Sequence, residues 1–458
     1  MAIATVNPAT GRTMREYAPH DPDEVERRIA RAAVAAARLR DTGFAQRAAW
    51  MRTAADVLTS DEDALAEAVT VEMGKPIAQS RAEVRKCAKS MRFYAEHAEA
   101  FLADEPLADP SGVGASRAWT CYEPLGIVLA VMPWNYPLWQ VIRFAAPALM
   151  AGNVGLLKHA SNVPLAAIYL DTLFARAGFP EGAFQTLLVG SDVVSRVIED
   201  PRIKAVTLTG SEPAGRSVAS AAGRSIKKAV LELGGSDPFV VMPSADVERA
   251  AEVAVAARTN NNGQSCIAGK RFIVHTDVYD EFARRFTERM AALVVGDPVE
   301  EGTQIGPLAT RAGRDELAEL VDDALGKGAV ALTGGFAPEG KGWYYPPTVL
   351  SGVAEGMRLY QEEAFGPVAS LYRVADAAEA IALANGTRFG LSSAVWTRDL
   401  AEEALFLGSL DAGAVFVNGM TVSYPELPFG GVKSSGYGRE LAAAGIREFC
   451  NLKTVWRG

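Results

Sequence analysis

Between residues 126 and 210 the chain repeats one pattern: a short apolar run, then a longer segment with helical spacing. GIVLAVMP, NVGLLKHA, FQTLLVG and KAVTLTG read as buried strands, and PLWQVIRFAAPALMAG, VPLAAIYLDTLFARAG and DVVSRVIED between them read as helices. A strand can reach a parallel neighbour only through a crossover, so such alternation builds a parallel sheet from βαβ units. A dinucleotide-type α/β architecture is the expectation.

Before this region, residues 22–104 are alanine-rich and charged, with apolar positions recurring at three and four in EVERRIARAAVAAARL and RAEVRKCAKSMRFYAEHAEAFL. Helices are predicted there. The stretch PLADPSGVGASRAW (106–119) has the proline, glycine and serine density of a connector. A second mixed series starts near Phe239 (FVVM, KRFIVH and AVFVNG, with ERAAEVAVAARTN and DEFARRFTERMAALVV), so a second α/β lobe is predicted after Glu232. The 458 residues suit about three domains.

A formal charge of −9 and a pI near 5.3 argue against a nucleic-acid partner, which would require a clustered basic surface. The N-terminus lacks the basic region and apolar core of a secretory signal, and no stretch approaches a membrane span. A cytoplasmic protein with no membrane partner is expected. The four cysteines (87, 121, 266, 450) form no C-x-x-C pair, so neither a metal site nor a structural disulfide is predicted.

Two motifs carry chemistry. Cys266 follows Asn260-Asn261-Asn262-Gly263-Gln264-Ser265, a setting of small and amide residues that suits a nucleophile. Glu232 lies in Leu231-Glu232-Leu233-Gly234-Gly235, where an apolar surrounding would raise a carboxyl pKa and make a general base. Only four histidines occur, at 20, 97, 159 and 275, and none has a catalytic setting, so a carboxylate base is favoured over imidazole. The fingerprint G-x-G-x-x-G is absent, although Gly210 and Gly215 frame a turn whose helix could offer N–H groups to a pyrophosphate.

The segments PWNYP, LLKHAS, TGSEPAG, LELGGSDPF, NNGQSC, EEAFGPV and PFGGVKSSGYGRE occur in this order across residues 133–440. Together they resemble the aldehyde dehydrogenase superfamily, whose members bind NAD or NADP without the usual glycine fingerprint. NNGQSCIAGKRFIVH, LLKHASNVP and MTVSYPELPFGG are similar to the shorter bacterial NADP-dependent succinate-semialdehyde dehydrogenases.

The resemblance implies two Rossmann-like α/β lobes plus a small β oligomerisation arm. The dinucleotide-binding domain would span 1–105 and 122–232, the catalytic domain 233–425, and the arm and tail 106–121 and 426–458. It implies Cys266 as nucleophile, Glu232 as base for thioester hydrolysis, and Asn135 as oxyanion donor beside the Cys266 N–H. Trp134, Lys158, His159, Ala160, Ser161, Gly210, Ser211, Leu233, Glu363 and Phe365 would contact the cofactor.

Ser161 stands where NAD-preferring relatives often place a Glu, so NADP is expected over a weaker NAD. Ser161 or Asn162 would also suit an N-cap before Pro164. Trp139, Arg143, Ser265 and Ser423 are the substrate candidates, with Trp139 and Arg143 on one wall by their i, i+4 spacing. The expected reaction is oxidation of succinate semialdehyde to succinate, with another small aliphatic aldehyde as the alternative. A homodimer or homotetramer is implied by the resemblance alone.

Overall fold

The computed structural model describes residues 2–458. Four helices, Pro22–Arg40, Phe44–Ser60, Glu62–Met73 and Ile77–Phe101, fill the region expected to be helical. The first has standard stop signals: the Asp21 side chain accepts from the Glu24 N–H, Pro22 opens the helix, and Arg38 and Arg40 close it. Its buried positions, Val25, Ile29, Ala32, Ala35 and Leu39, follow the three-and-four spacing. The long Ile77–Phe101 helix packs against Phe44–Ser60 and against Trp139–Ala151, which carries it to the edge of the site.

The predicted strands form a six-stranded sheet in the order Gly436–Tyr437, Lys228–Glu232, Ile203–Thr209, Ile127–Met132, Val154–His159, Phe184–Thr186. All neighbours are parallel except the first pair. The order reverses between Ile127–Met132 and Ile203–Thr209, and the carboxyl ends of strands at such a reversal open a crevice for ligands. Phe239 opens the second series as expected: Asp237–Val241 is a central strand of a seven-stranded sheet, parallel apart from its Val330–Thr333 edge.

A separate antiparallel sheet joins Glu105–Pro106, Arg117–Pro124 and Cys450–Arg457. The tail expected over 426–458 therefore needs correcting. Only its end is an arm strand, because Val432–Lys433 pairs with Phe389–Gly390 and Gly436–Tyr437 pairs with Leu231 and Glu232. Glycine permits that approach: Gly436 has φ +116°, and a Cβ there would meet the Leu231 carbonyl oxygen at 2.0 Å.

Candidate active site

The loop carrying Cys266 is built by its own amides. Asn261 and Asn262 take left-handed backbone angles (φ 62° and 56°), which asparagine tolerates better than most residues. The Asn262 amide donates to the carbonyls of Gly74 and Pro307, 2.9 Å each, and its oxygen accepts from the Gly306 N–H at 2.9 Å. Asn261 donates to the Asn135 carbonyl (2.8 Å) and the Gln264 carbonyl (3.0 Å), tying the loop to the turn after Ile127–Met132. Lys270 Nζ donates to the carbonyls of Ser265 (3.0 Å) and Cys266 (2.8 Å).

The two chemical motifs meet across glycines. A Cβ on Gly235 would lie 2.6 Å from the Cys266 carbonyl oxygen, and one on Gly234 would lie 2.5 Å from a Glu363 oxygen. The Leu-Gly-Gly turn after Glu232 thus lies directly on the nucleophile loop.

Cys266 and Gln140 line both of two adjoining cavities, of about 230 and 480 Å³. Burial pushes the Cys266 thiol up to about 12, against the pull of Arg143 and Lys270, so the resting sulfur is protonated. Asn135 is buried, and its amide nitrogen donates to the Gln264 carbonyl at 3.1 Å. That bond fixes the amide and leaves its second N–H free, while the Cys266 N–H has no partner among the described residues.

Glu232 is 2 % exposed, and neither carboxylate oxygen accepts a hydrogen bond among the described residues. Burial first, and then the neighbouring Glu440 carboxyl, push its pKa well up, while Arg143 and Arg439 oppose them. It lines neither cavity, though Leu233 and Gly234, the next residues, line the larger one.

The larger cavity takes in Trp134, Gly210, Ser211, Leu233, Glu363 and Phe365 of the expected cofactor set. Ser211 precedes the Glu212–Arg224 helix, and that helix sits tight on the sheet because a Cβ on Gly215 would meet Leu233 at 2.7 Å. Gly210, Ser211 and the first helical residues, Glu212 and Pro213, line the cavity, so a helix N-terminus opens at its wall. Phe365 meets Trp134 edge-on at 5.7 Å between ring centroids. Glu363 accepts from the Gly235 N–H (3.2 Å) and pairs with Lys270 (3.1 Å).

Lys158, Ala160 and Ser161 lie one strand further along the sheet edge, in or after Val154–His159, and do not line that cavity. Lys158 is in no ion pair among the described residues, and burial lowers its pKa. The His159 side chain is engaged within the protein. Successive strand residues point to opposite faces, so beside Lys158 its ring turns inward. Nε2 lies 2.8 Å from the Pro137 carbonyl, Nδ1 accepts from the Ala160 N–H at 2.9 Å, and burial brings the imidazole down to about 4. It positions the turn and stays neutral.

The N-cap expectation also changes: Val163 caps the Pro164–Arg176 helix, with no side-chain bond, because Ser161 and Asn162 form the turn before it. The Ser161 hydroxyl is thereby left free of a capping role.

The smaller cavity gathers Trp139, Arg143, Ser265 and Ser423 beside Cys266. Trp139 and Arg143 share it as their spacing predicts. Arg143, however, is 2 % exposed and ion-paired with Glu440, donates to Thr209 Oγ1 at 3.3 Å, and covers the Phe429 ring. Sequence reading missed Glu440, which sits inside PFGGVKSSGYGRE but was assigned to the tail. It also missed Lys86, Lys270 and Gln140. Lys86 had one signal, a lysine flanking the apolar positions Val84 and Cys87 of a packed helix.

A family model described as the aldehyde dehydrogenase family matches residues 1–455. The chain belongs to that family. This aldehyde dehydrogenase is 61% identical over 459 residues to a protein of Mycobacterium avium named "Succinate-semialdehyde dehydrogenase [NADP(+)]", with 100% of this chain and 97% of the relative covered. A Mycobacterium tuberculosis protein of the same name, numbered 1, is 60% identical over 456 residues with both chains covered fully. Among solved structures, succinic semialdehyde dehydrogenase from Streptococcus pyogenes in complex with NADP+ superimposes with TM-score 0.96 at 34% identity, covering 99% of each chain. No helix among the described residues of the dehydrogenase is long and apolar enough to cross a membrane.

Proposed function

We propose that this aldehyde dehydrogenase oxidises succinate semialdehyde to succinate with NADP. The observation that carries the reading is the position of Cys266 in the wall between two cavities, one lined by Trp134, Gly210, Ser211, Glu363 and Phe365 and one lined by cations and hydroxyls. The names of the mycobacterial relatives support the same substrate and coenzyme.

The aldehyde enters the smaller cavity, and its carboxylate end lies toward Ser423, along the Trp139 wall. The Cys266 thiol gives its proton to solvent in the cavity as the sulfur bonds to the carbonyl carbon, whose oxygen gains the displaced electron pair. The free Asn135 amide N–H and the Cys266 N–H receive that oxyanion, and one such donor is worth about 100- to 1,000-fold in rate. The nicotinamide, when bound, supplies acceptance of the hydride from the thiohemiacetal carbon. Glu232, once its side chain has turned out of its buried site and ionised, takes a proton from water as the water oxygen bonds to the thioester carbonyl carbon. The C–S bond then breaks, the acid leaves, and the Cys266 sulfur recovers that proton from Glu232.

Because Glu232 lies one residue behind the cavity wall, its side chain must rotate outward for that step. Its buried, unpartnered carboxylate gives it reason to do so, since solvation or a water partner removes the desolvation penalty.

For the coenzyme, Lys158 would contact the adenosine ribose, and the neutral Ser161 beside it leaves room for a 2′-phosphate that a Glu would repel. Trp134 and Phe365 would flank the nicotinamide, Glu363 would bind its ribose, and Gly210 and Ser211 would face the pyrophosphate.

A homodimer or homotetramer is proposed on the arm: Cys450–Arg457 is a sheet edge that exposes Leu452 and Trp456, a surface another subunit can cover. A cytoplasmic location is proposed from four free cysteines and an acidic surface. Initial rates of reduced-nicotinamide formation, with succinate semialdehyde and propanal against NADP and NAD, test the whole reading. A strong preference for the first substrate with NADP is expected; equal rates on both aldehydes would overturn the substrate assignment.

A further inference from the structure

Three charged side chains line the smaller cavity beside Cys266: Glu83, Lys86 and Arg143. Two of them are already engaged. Glu83 pairs with the buried Lys75 and accepts from the N–H groups of Leu138 and Trp139, 2.8 Å each, so it caps the Trp139–Ala151 helix. Arg143 is ion-paired with Glu440.

Lys86 is in no ion pair among the described residues. Its Nζ donates to Ser423 Oγ at 2.7 Å and lies 4.1 Å from the Trp139 ring centroid. The ring face replaces part of the lost hydration, but an ammonium has three protons and at least one is unsatisfied. Burial, helped by the Arg143 charge, brings Lys86 down to about 8, which leaves it protonated at neutral pH. Ser423 Oγ also accepts from Trp139 Nε1 at 3.0 Å. With two bonds accepted, its own proton is free to donate, and no described side chain or carbonyl takes it. A half-buried cation lacking a counter-ion and a hydroxyl lacking an acceptor therefore sit together in the wall of the cavity that Cys266 also lines.

We infer that Lys86 is the specificity-determining residue that binds the terminal carboxylate of the substrate, with Ser423 donating beside it, while Arg143 is held by Glu440. This rests on the semialdehyde reading above. An uncharged aldehyde fills the same cavity but leaves the ammonium without an anion, so the cost of burying Lys86 is recovered only with a carboxylated substrate.

The test uses the full-length enzyme with NADP and measures kcat/KM for succinate semialdehyde and for butanal, which replaces the carboxylate by a methyl group. The ratio of the two values is the readout. Lys86→Met should lower that ratio about 10- to 100-fold, the range of a hydrogen bond to a charged group, mainly through KM for the semialdehyde. Lys86→Gln, which keeps a donor for Ser423 without the charge, should show a similar fall, and it serves if the Met variant does not fold. Lys86→Arg, which keeps a cation, should retain much more of the preference. A ratio in Lys86→Met and Lys86→Gln within about twofold of the wild type would overturn the inference, since a packing defect lowers both substrates together. A wild-type enzyme with no preference for the semialdehyde would instead overturn the functional reading on which the inference rests.

Discussion

Glu232→Gln separates the chemistry of this carboxyl from its structural cost. The folded protein raises the Glu232 pKa well above the ordinary carboxylate value of 4.5, mainly through burial, with the Glu440 charge adding to it. The unfolded chain ionises near the ordinary value. A carboxyl with a raised folded pKa stabilises the fold fully below the unfolded pKa and loses that contribution as pH rises toward the folded one. While Glu232 is protonated in the fold and ionised in the unfolded chain, the difference is one bound proton. Folding stability then falls by about 1.4 kcal/mol per pH unit from this group.

Gln keeps the shape and does not titrate, so the stability of Glu232→Gln relative to wild type should rise with pH above about 4.5, by about 1.4 kcal/mol per unit while Glu232 stays protonated in the fold. Urea unfolding of both proteins at one protein concentration measures this, and the shared concentration cancels the contribution of subunit association. The same variant should release one equivalent of reduced coenzyme per site in a burst and then turn over about 100-fold or more slowly, as a missing general base requires. Parallel stability profiles would refute the buried, protonated carboxyl, and an unchanged steady-state rate would remove Glu232 from thioester hydrolysis.

Asn135→Ala should lower kcat about 100- to 1,000-fold with a smaller change in KM, measured by steady-state kinetics, because the donor acts on the oxyanion. Ser161→Glu should move the NADP-to-NAD ratio of kcat/KM toward NAD by about 10-fold or more, through repulsion of the 2′-phosphate. Asn262→Ala removes three buried hydrogen bonds that anchor the Cys266 loop. It should cost about 3 kcal/mol or more in urea unfolding, with activity falling as well.

Much of this protein was legible in its chain because the relevant forces are local. Helical spacing marked residues 22–104, apolar runs marked the parallel strands, and glycines and asparagines marked turns that other residues strain to adopt. Cys266 and Glu232 stood out by their own neighbours, small and amide residues before the one and an apolar run with two glycines around the other, whereas Asn135 came only from the family resemblance. Within the expected tail, Gly436 and Tyr437 were not legible as part of the main sheet, because they pair with Glu232 and Leu231, residues some 200 positions away.

What tertiary structure alone decided is the charge state and partnership of the buried groups. The sequence shows Arg143 and Lys86 as two cations on two helices, and nothing in their neighbours says which is neutralised. Folding brings Glu440 onto Arg143 and leaves Lys86 facing Trp139 and Ser423. It also turns the His159 ring inward while Lys158 faces the other side of the strand. These outcomes depend on desolvation and on contacts between distant segments, and both quantities exist only once the chain has closed around them.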